Sequence, residues 1–595
     1  MTATPGHSNP DTPHSHEASG APLPDASPLA GPQLGGHILV DALLAHGAEL
    51  AFGVPGESYL AVLDGFHRRR DQLRFIVCRQ EGGAAVMAEA YGKLTGRPGL
   101  AFCTRGPGAT NASIGVHTAF QDSTPMILFI GQVGTDFMDR EAFQEIDYRR
   151  MYGQMAKWVA QIDRVERIPE YIARAYQTAT SGRPGPVVLA LPEDMLAQSA
   201  VVPQLRGYER VLSWPGDPGM ARLQQMLEAA ERPFVLAGGS GWTPQACADL
   251  QAFAERFALP VGCAFRGQDL FDNRHPNYAG DVGIGINPAL GERIRQADLV
   301  LAIGPRLGEM TTGGYALIAA PRPAQTLVHV HAGAEELGSV YQADLMIHAS
   351  MPAIAARLAA LEPAAVPRWQ AWTEAAHADY ERYLQPPAYM GQGGQGVDMA
   401  EVIRTLDQML PDDAVVTNGA GNYASWLHRY FRYRPYRNGG RGQLAPTSGA
   451  MGYGVPAAVS AKIAFPQRTV VALAGDGCFL MNGQELATAM QYQAPVVFIV
   501  VNNGMYGTIR MHQEREYPTH VSGTELHNPD FAALARAYGA RGETVTTTAA
   551  FAPALRAALD APVSTLIEIR VDPDVITPRT TLSAIRAQAL AGGQH

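Results

Sequence analysis

No uninterrupted apolar run in the sequence approaches the roughly eighteen residues that a membrane span requires, so no membrane partner is expected. The opening residues also lack the charged-then-apolar pattern of a secretory leader, which makes the cytoplasm the expected compartment. Cysteine is scarce. Cys78, Cys103, Cys247, Cys263 and Cys478 are odd in number and contain no C-x-x-C pair, a pattern that suits small buried thiols and not a disulfide frame. Basic charge is in the minority, 46 Lys and Arg against 56 Asp and Glu, for a formal net charge of -10. No basic block follows a phosphate backbone over many contacts, so nucleic acid is not an expected partner either. What is present is a 46% hydrophobic fraction spread over 595 residues, more chain than a single hydrophobic core can use.

Residues 1–33 are rich in Pro, Ser, Ala, His and Gly with almost nothing to bury, and are expected to be a disordered tail. From Leu34 onward, apolar runs such as FIVCRQ, PMILFIGQ and PVVLALP alternate with helical patterns and end near Gly, Pro or a polar turn. That alternation predicts parallel α/β units. A second set (PFVLAGG, LPVGCAF, DLVLAIG, TLVHVHA) and a third (DAVVTNG, RTVVALAGDG, PVVFIVVNN, TLIEIRVD) follow, with Pro- and Gly-bearing joints near 200–218 and 360–397. The expectation is an α/β protein of three consecutive parallel-sheet domains at 34–200, 218–360 and 397–575, followed by a C-terminal tail at 576–595.

Two polar knots in the third set carry the chemistry. VVALAGDGCF sets Asp476 between Gly475 and Gly477 at the end of a predicted strand, and PVVFIVVNNGMYG sets Asn503 at the end of the next. The interval between them accommodates one helix and one strand, a single βαβ crossover that brings a carboxylate and an amide oxygen to one point. Glycines there let backbone approach a bulky phosphate, and open α/β sheets gather anions at strand carboxyl ends. Hard oxygen donors of this kind suit Mg²⁺ or Ca²⁺ with a diphosphate completing the shell. Asp476, Asn503 and the backbone carbonyl of Met505 are the expected protein ligands.

GDG, then NGQELATA, then PV and NN, resembles the motif of thiamine-diphosphate enzymes, and the surrounding text is similar to the acetohydroxyacid synthase (acetolactate synthase) group. The resemblance runs over about residues 35–575 through FGVPGESYLAVLDG, RQEGGAAVMAEAYGKLTG, GPGATN, EAFQE, SGRPGPVVLALPED and SGAMGYGVPAAV. It implies pyrimidine-binding, central nucleotide-binding-like and diphosphate-binding domains in that order, with thiamine diphosphate and Mg²⁺ as cofactors. In RQEGGAA, Glu81 matches the glutamate that activates the aminopyrimidine ring, and Met451 matches the apolar wedge under the bent cofactor. Ala420, Gly421, Asn422 and Tyr423 match the loop that holds the diphosphate, beside Gly475, Gly477, Cys478 and Tyr506 of the two knots. Phe143, Gln144 and Ile509 match the substrate pocket; Glu57 and His512 stand where an acid–base or acceptor-side role is expected.

Against the synthase pattern, Met310 stands where an arginine grips the second 2-oxo acid, His512 where a tryptophan shapes the acceptor pocket, and Glu193 where a lysine is usual. A methionine cannot make the bidentate pair an arginine makes with a carboxylate. Arg183, Gly238, Gly239 and Arg306 match residues of the group's FAD site, while His331 replaces its acidic residue, so FAD, another adenine nucleotide or nothing are the candidate occupants of the central domain.

The expected function is a thiamine-diphosphate and Mg²⁺-dependent C–C ligase or lyase acting on a small 2-oxo acid or related donor. The alternatives are a decarboxylase that releases an aldehyde and, more remotely, a non-catalytic thiamine- or nucleotide-binding regulator. The resemblance also implies a homodimer or homotetramer in which Glu81 of one chain meets the Asp476 knot of its neighbour.

Overall fold

The computed structural model describes residues 31–203, 206–386, 396–434 and 440–592; nearly all of the expected tail over 1–33 lies outside them. Three six-stranded sheets follow one another along the chain, and every pairing within them is parallel. The first holds β1 (Leu50–Gly53), β2 (Arg74–Val77), β3 (Gly99–Cys103), β4 (Met126–Gln132), β5 (Trp158–Gln161) and β6 (Pro186–Pro192) in the order β2-β1-β3-β4-β6-β5. The second holds β7 (Pro233–Ala237), β8 (Val261–Ala264), β9 (Tyr278–Val282), β10 (Leu299–Ile303), β11 (Thr326–His331) and β12 (Leu345–His348), ordered β9-β8-β7-β10-β11-β12. The third holds β13 (Val415–Asn418), β14 (Gln443–Leu444), β15 (Val470–Gly475), β16 (Val497–Asn502), β17 (Arg541–Val545) and β18 (Thr565–Arg570), ordered β14-β13-β15-β16-β18-β17. Helices cover both faces of such sheets, which is why β4 reads MILFIGQ with every residue buried and shows no alternation.

The first and third domains share a core. Helix α1 (Glu81–Thr95) follows β2; its N-cap Gln80 side chain accepts the Gly83 N–H, and it ends on Gly96 at φ 71°, where glycine is the low-cost residue. α2 (Gly106–Asp122) follows β3, and α3 (Gly454–Ala464) precedes β15. The small residues of EGGAAVMAEAYGKLT let α1 lie between its own sheet and α3, and one apolar cluster runs unbroken through both domains.

A buried polar network crosses the same seam. Glu89, fully buried, accepts from Tyr453 Oη at 2.6 Å and Thr124 Oγ1 at 2.7 Å and pairs with Lys93 at 3.1 Å. Lys93 also bonds Asp122 and, at 3.0 Å, the Ala445 carbonyl, while Asp122 accepts the Thr447 N–H at 2.8 Å. Burial pushes the Glu89 carboxyl up and Lys93 pulls it back, so the charged side chains are tolerated only as a set. Buried Glu485 adds a second tie, accepting the N–H groups of Arg79 and Gln80 at 3.1 Å. The backbone immediately before Glu81 is therefore fixed by a side chain of the third domain.

Three further helices complete the surroundings of the site: α4 (Asp476–Leu480), α5 (Leu486–Gln491) and α6 (Gly507–Glu516). The segment 576–595, expected as a tail, carries α7 (Leu582–Gly592), which packs on α6 through Ile576, Leu582 and Ile585 against Met505 and Met511. Arg586 Nε reaches buried Glu514 of α6 at 2.7 Å, and Arg510 reaches it at 2.9 Å. These bonds hold the Glu514 carboxyl down at about 2. Among the described residues no helix is long and apolar enough to cross a membrane.

Candidate active site

Strand order in the third sheet reverses between β13 and β15, and ligands of open parallel sheets gather in the crevice at such a point. Three chain ends surround it: β13 runs into Gly419–Tyr423, β15 into Asp476, and β16 into Asn503 and Gly504. The two knots read from the sequence meet there. The Gly504 N–H donates to Asp476 Oδ2 at 2.9 Å, and the Gly477 N–H donates to Oδ1 at 2.8 Å. Asn503 Oδ1 accepts the Met505 N–H at 3.2 Å, and the Met505 carbonyl accepts from Gly507 at 2.9 Å.

Asp476 is buried, and burial pushes its carboxyl up while the hydrogen bonds from Gly477, Asn528 and Gly504 pull it down. Among the described residues no Lys, Arg or His pairs with it. A buried carboxylate without a cation is costly, and a hard divalent ion held by carboxylate, amide and carbonyl oxygens removes that cost. The donor set thus fits Mg²⁺ and, through it, a diphosphate. Close backbone approach is also built in. A Cβ on Gly477 would stand 2.6 Å from the Tyr506 ring, and Gly421 holds φ at 141°, which L side chains rarely adopt.

Other residues read from the sequence line the same crevice in different ways. Ala420, Gly421 and Asn422 face a cleft of about 980 Å³. Tyr423 and Cys478 lie buried behind the loop: the Tyr423 hydroxyl accepts the Gly419 N–H at 3.0 Å and donates to Cys478 Sγ at 3.4 Å, so their polar atoms are used inside the fold. Met451 is half-buried against the apolar cluster of the third domain that holds Tyr423 and Cys478, next to Gly452, whose N–H reaches Cys478 Sγ at 3.2 Å. On α6, Ile509 and His512 are exposed, and Thr508 ties that helix to the loop by donating to Asn422 Oδ1 at 3.0 Å.

The N-terminal group gathers at the ends of β1 and β3, the switch point of the first sheet. Glu81 opens α1, half-buried, and accepts from Asn111 Nδ2 of α2 at 2.9 Å. Gln144 holds φ at 67° and its carbonyl accepts the Gly106 N–H at 2.9 Å, while Phe143 beside it is 73% exposed. Glu57 is exposed but not free: Arg105, itself buried, donates to Glu57 at 2.9 Å and to Glu193 at 2.5 Å. Among the described residues no hydrogen bond joins Glu81 to Asp476 or Asn503 of the same chain; its partner is Asn111.

In the central sheet, order reverses between β7 and β10, where Gly238 and Gly239 cross Gly304 so closely that a Cβ on Gly239 would stand 2.0 Å from the Gly304 carbonyl. Gly239, Gly304, Arg306, Met310 and His331 border the 980 Å³ cleft with the loop at Ala420. Arg183 is spent on Ser123, Phe120 and Glu336, at 2.9, 2.6 and 2.7 Å, and Arg306 also reaches Glu336, at 3.2 Å.

Residues that the sequence did not single out include Arg105, Asn111, Glu485 and Asn528. Each acts across a long separation in the chain, Asn528 on Asp476 over 52 positions and Glu485 on Arg79 over 406. Arg105 was the most accessible to sequence reading, as a lone basic residue at a strand end in TRGPG.

Family models described as thiamine pyrophosphate enzyme N-terminal TPP binding domain, central domain and C-terminal TPP binding domain match residues 34–151, 220–358 and 419–569. The chain is similar to the acetolactate synthase large subunit of Parasynechococcus marenigrum (strain WH8102), 33% identical over 90% of this chain and 87% of the relative. It is 30% identical to the acetolactate synthase isozyme 2 large subunit of Escherichia coli (strain K12), over 90% and 95% of the two chains. A probable acetolactate synthase large subunit of Methanocaldococcus jannaschii is also 30% identical, over 91% and 93%.

Proposed function

This chain belongs to the acetolactate synthase family of thiamine pyrophosphate enzymes, and from that premise we propose that it uses thiamine diphosphate and Mg²⁺ to join a 2-oxo acid donor to a carbonyl acceptor. One observation carries the reading: the Gly504 N–H sits on the Asp476 carboxylate at 2.9 Å, so the two knots converge on a point where, among the described residues, no side-chain cation pairs with Asp476. When bound, thiamine diphosphate supplies a carbon nucleophile and an electron sink for bonds next to a carbonyl. The protein's part is to hold and to move protons. Asp476, Asn503 and the Met505 carbonyl would hold the cation, with the Ala420–Asn422 loop, which faces the cleft, beside the diphosphate. Met451 would support the cofactor from below. Glu81 would exchange a proton with the aminopyrimidine nitrogen, and Gln144 would orient the substrate carbonyl.

Glu57 would take acid–base work on the second half of the reaction, because Arg105, which it shares with Glu193, holds its carboxylate above the ends of β1 and β3. Ile509, His512 and Phe143 would border the acceptor. With Met310 on the cleft wall, the acceptor carboxylate has no guanidinium from that position, so the acceptor need not be the one that branched-chain synthases take. Shared sites in a homodimer or homotetramer are part of the proposal, supported by Glu81 making no hydrogen bond, among the described residues, to Asp476 or Asn503 of its own chain, and by exposed Leu480 and Met481 at the end of α4.

Reconstitution with thiamine diphosphate and Mg²⁺ followed by product analysis on pyruvate, glyoxylate and 2-oxobutyrate tests this. A C–C ligation product such as acetolactate is expected; free aldehyde alone would turn the reading to a lyase, and no cofactor uptake by calorimetry would end it. The same samples, run by sedimentation velocity across a dilution series, should lose activity where they lose the dimer.

A second cofactor, FAD or another adenine nucleotide, is also part of the proposal, because nucleotides gather at switch points such as that between β7 and β10, where Gly239, Gly304 and Arg306 border the cleft. Arg183 and Arg306 would have to give up Glu336 to reach it. The expected result is a flavin spectrum retained through gel filtration after incubation with FAD; a colourless protein that instead retains ADP would assign the crevice to the simpler nucleotide.

A further inference from the structure

Asp476 and its surroundings leave one question: which carboxylate oxygen remains available to a cation, and what keeps Asn502, next to the expected ligand Asn503, away from it. The segment that settles it comes from the loop after α6. Thr524–Asn528 runs antiparallel to Gly504–Tyr506, with the Tyr506 N–H on the Thr524 carbonyl at 2.8 Å and the Leu526 N–H on the Gly504 carbonyl at 2.9 Å. This pairing brings the Asn528 side chain against the cation site.

The orientation of the Asn528 amide follows from its neighbours. Its Nδ2 lies 2.8 Å from Asp476 Oδ2 and 3.0 Å from Asn502 Oδ1, and both are oxygens that can only accept. A reversed amide would set three oxygens against one another. Among the hydrogen bonds of the described residues, Asp476 Oδ2 is then occupied twice, by Asn528 and by the Gly504 N–H, and Oδ1 once, by the Gly477 N–H. Asn502 is occupied as well: its Oδ1 takes Asn528 and Gly504, and its Nδ2 donates to buried Glu568 at 2.7 Å. Asn503, by contrast, accepts only from Met505. The Oδ1 of Asn528 itself is buried and has no partner among the described residues, so the bonds among them do not use both ends of this amide.

We infer that Asn528 is a positioning residue of the cation site: by occupying Asp476 Oδ2 and Asn502 it restricts Asp476 to one-oxygen coordination through Oδ1 and leaves Asn503 as the amide ligand. The inference rests on the reading that Asp476 holds a divalent cation. It has a consequence for metal choice. Mg²⁺ demands a near-ideal octahedron, whereas Ca²⁺ accepts two-oxygen carboxylate coordination in a looser shell. A carboxylate with one oxygen blocked therefore favours Mg²⁺ over Ca²⁺.

The test is calorimetric titration of Mg²⁺, and separately of Ca²⁺, into the full-length protein with saturating thiamine diphosphate, for wild type, Asn528→Leu and Asn528→Ser. Outer partners of metal ligands typically account for about 10–100-fold in affinity. Asn528→Leu is expected to lose Mg²⁺ affinity in that range and Ca²⁺ affinity by several-fold less, so that the Ca²⁺/Mg²⁺ preference rises; Asn528→Ser, which keeps one donor, should fall between. Equal losses for both ions, together with a lowered unfolding midpoint of the apo-protein, would make Asn528 a merely structural residue and overturn the inference, as would unchanged affinities. If wild type itself binds neither ion, the cofactor reading fails and the inference falls with it.

Discussion

Replacing Glu81 by glutamine is expected to reduce turnover by about 10²–10⁴-fold, the contribution of one well-placed proton-transfer group, with little change in fold or cofactor affinity. Glutamine has the same length and shape, and its amide oxygen can still accept the Asn111 Nδ2–H that the carboxylate accepts at 2.9 Å. The backbone around it is held independently, by Glu485 on the N–H groups of Arg79 and Gln80 and by the Gln80 cap on Gly83. What is removed is the exchangeable proton. The most direct measurement is the rate at which bound thiamine diphosphate exchanges its C2 proton for deuterium, followed by quench and NMR. That rate should fall with turnover, while calorimetry shows cofactor binding within about tenfold of wild type, a difference of about 1.4 kcal/mol. Exchange at the wild-type rate would remove Glu81 from the activating role, whatever happens to turnover.

The sequence exposed those parts of the fold and site that short-range chemistry dictates. Apolar runs such as PMILFIGQ announce buried parallel strands because helices cover both faces, and the runs read in each domain all become strands of its sheet, although each sheet also takes strands, such as β5, β12 and β17, that no run announced. The meeting of Asp476 with the Asn502–Gly504 turn was legible because a second polar knot follows the first at the spacing of one strand crossover; a carboxylate between glycines alone would read as a plain turn. Their partners were not legible. Asn528 lies in HNPD, a plain turn by its composition, and acquires its place only when the strand-like segment before it pairs with Gly504–Tyr506. Glu485 reads as an ordinary helix-start glutamate until the third domain packs on the first. Arg105 needs both β1 and β6 to be in place before Glu57 and Glu193 can meet it. Tyr423 and Cys478 show the converse. They occupy the expected loops, but the fold turns them inward against each other. The last segment, too short and weakly patterned to announce a helix, becomes ordered because α6 offers Glu514 to Arg586.

Asp476→Asn is expected to abolish stabilisation by the cofactor pair while leaving the stability of the apo-protein almost unchanged. In the apo-protein the wild-type carboxylate is buried without a cationic partner, an arrangement that burial penalises. An amide at this position carries no charge and keeps one oxygen for the two donors on Oδ2, although its nitrogen then opposes the Gly477 N–H. These effects largely offset one another, so the unfolding midpoint of the apo-variant should stay close to that of wild type. The loaded proteins should differ sharply. A ligand at a hundred times its dissociation constant stabilises the native state by about 2.7 kcal/mol, and wild type should show the corresponding rise in midpoint when thiamine diphosphate and Mg²⁺ are added together. Losing a direct cation ligand must cost more than the roughly 10–100-fold typical of an outer partner, so at the same concentrations the variant should show almost no rise. Thermal scans of both proteins, with and without the cofactor pair, provide the comparison. A variant still stabilised as strongly as wild type would mean that the cation is held elsewhere, and that the convergence of Asp476 with Gly504 serves the fold alone.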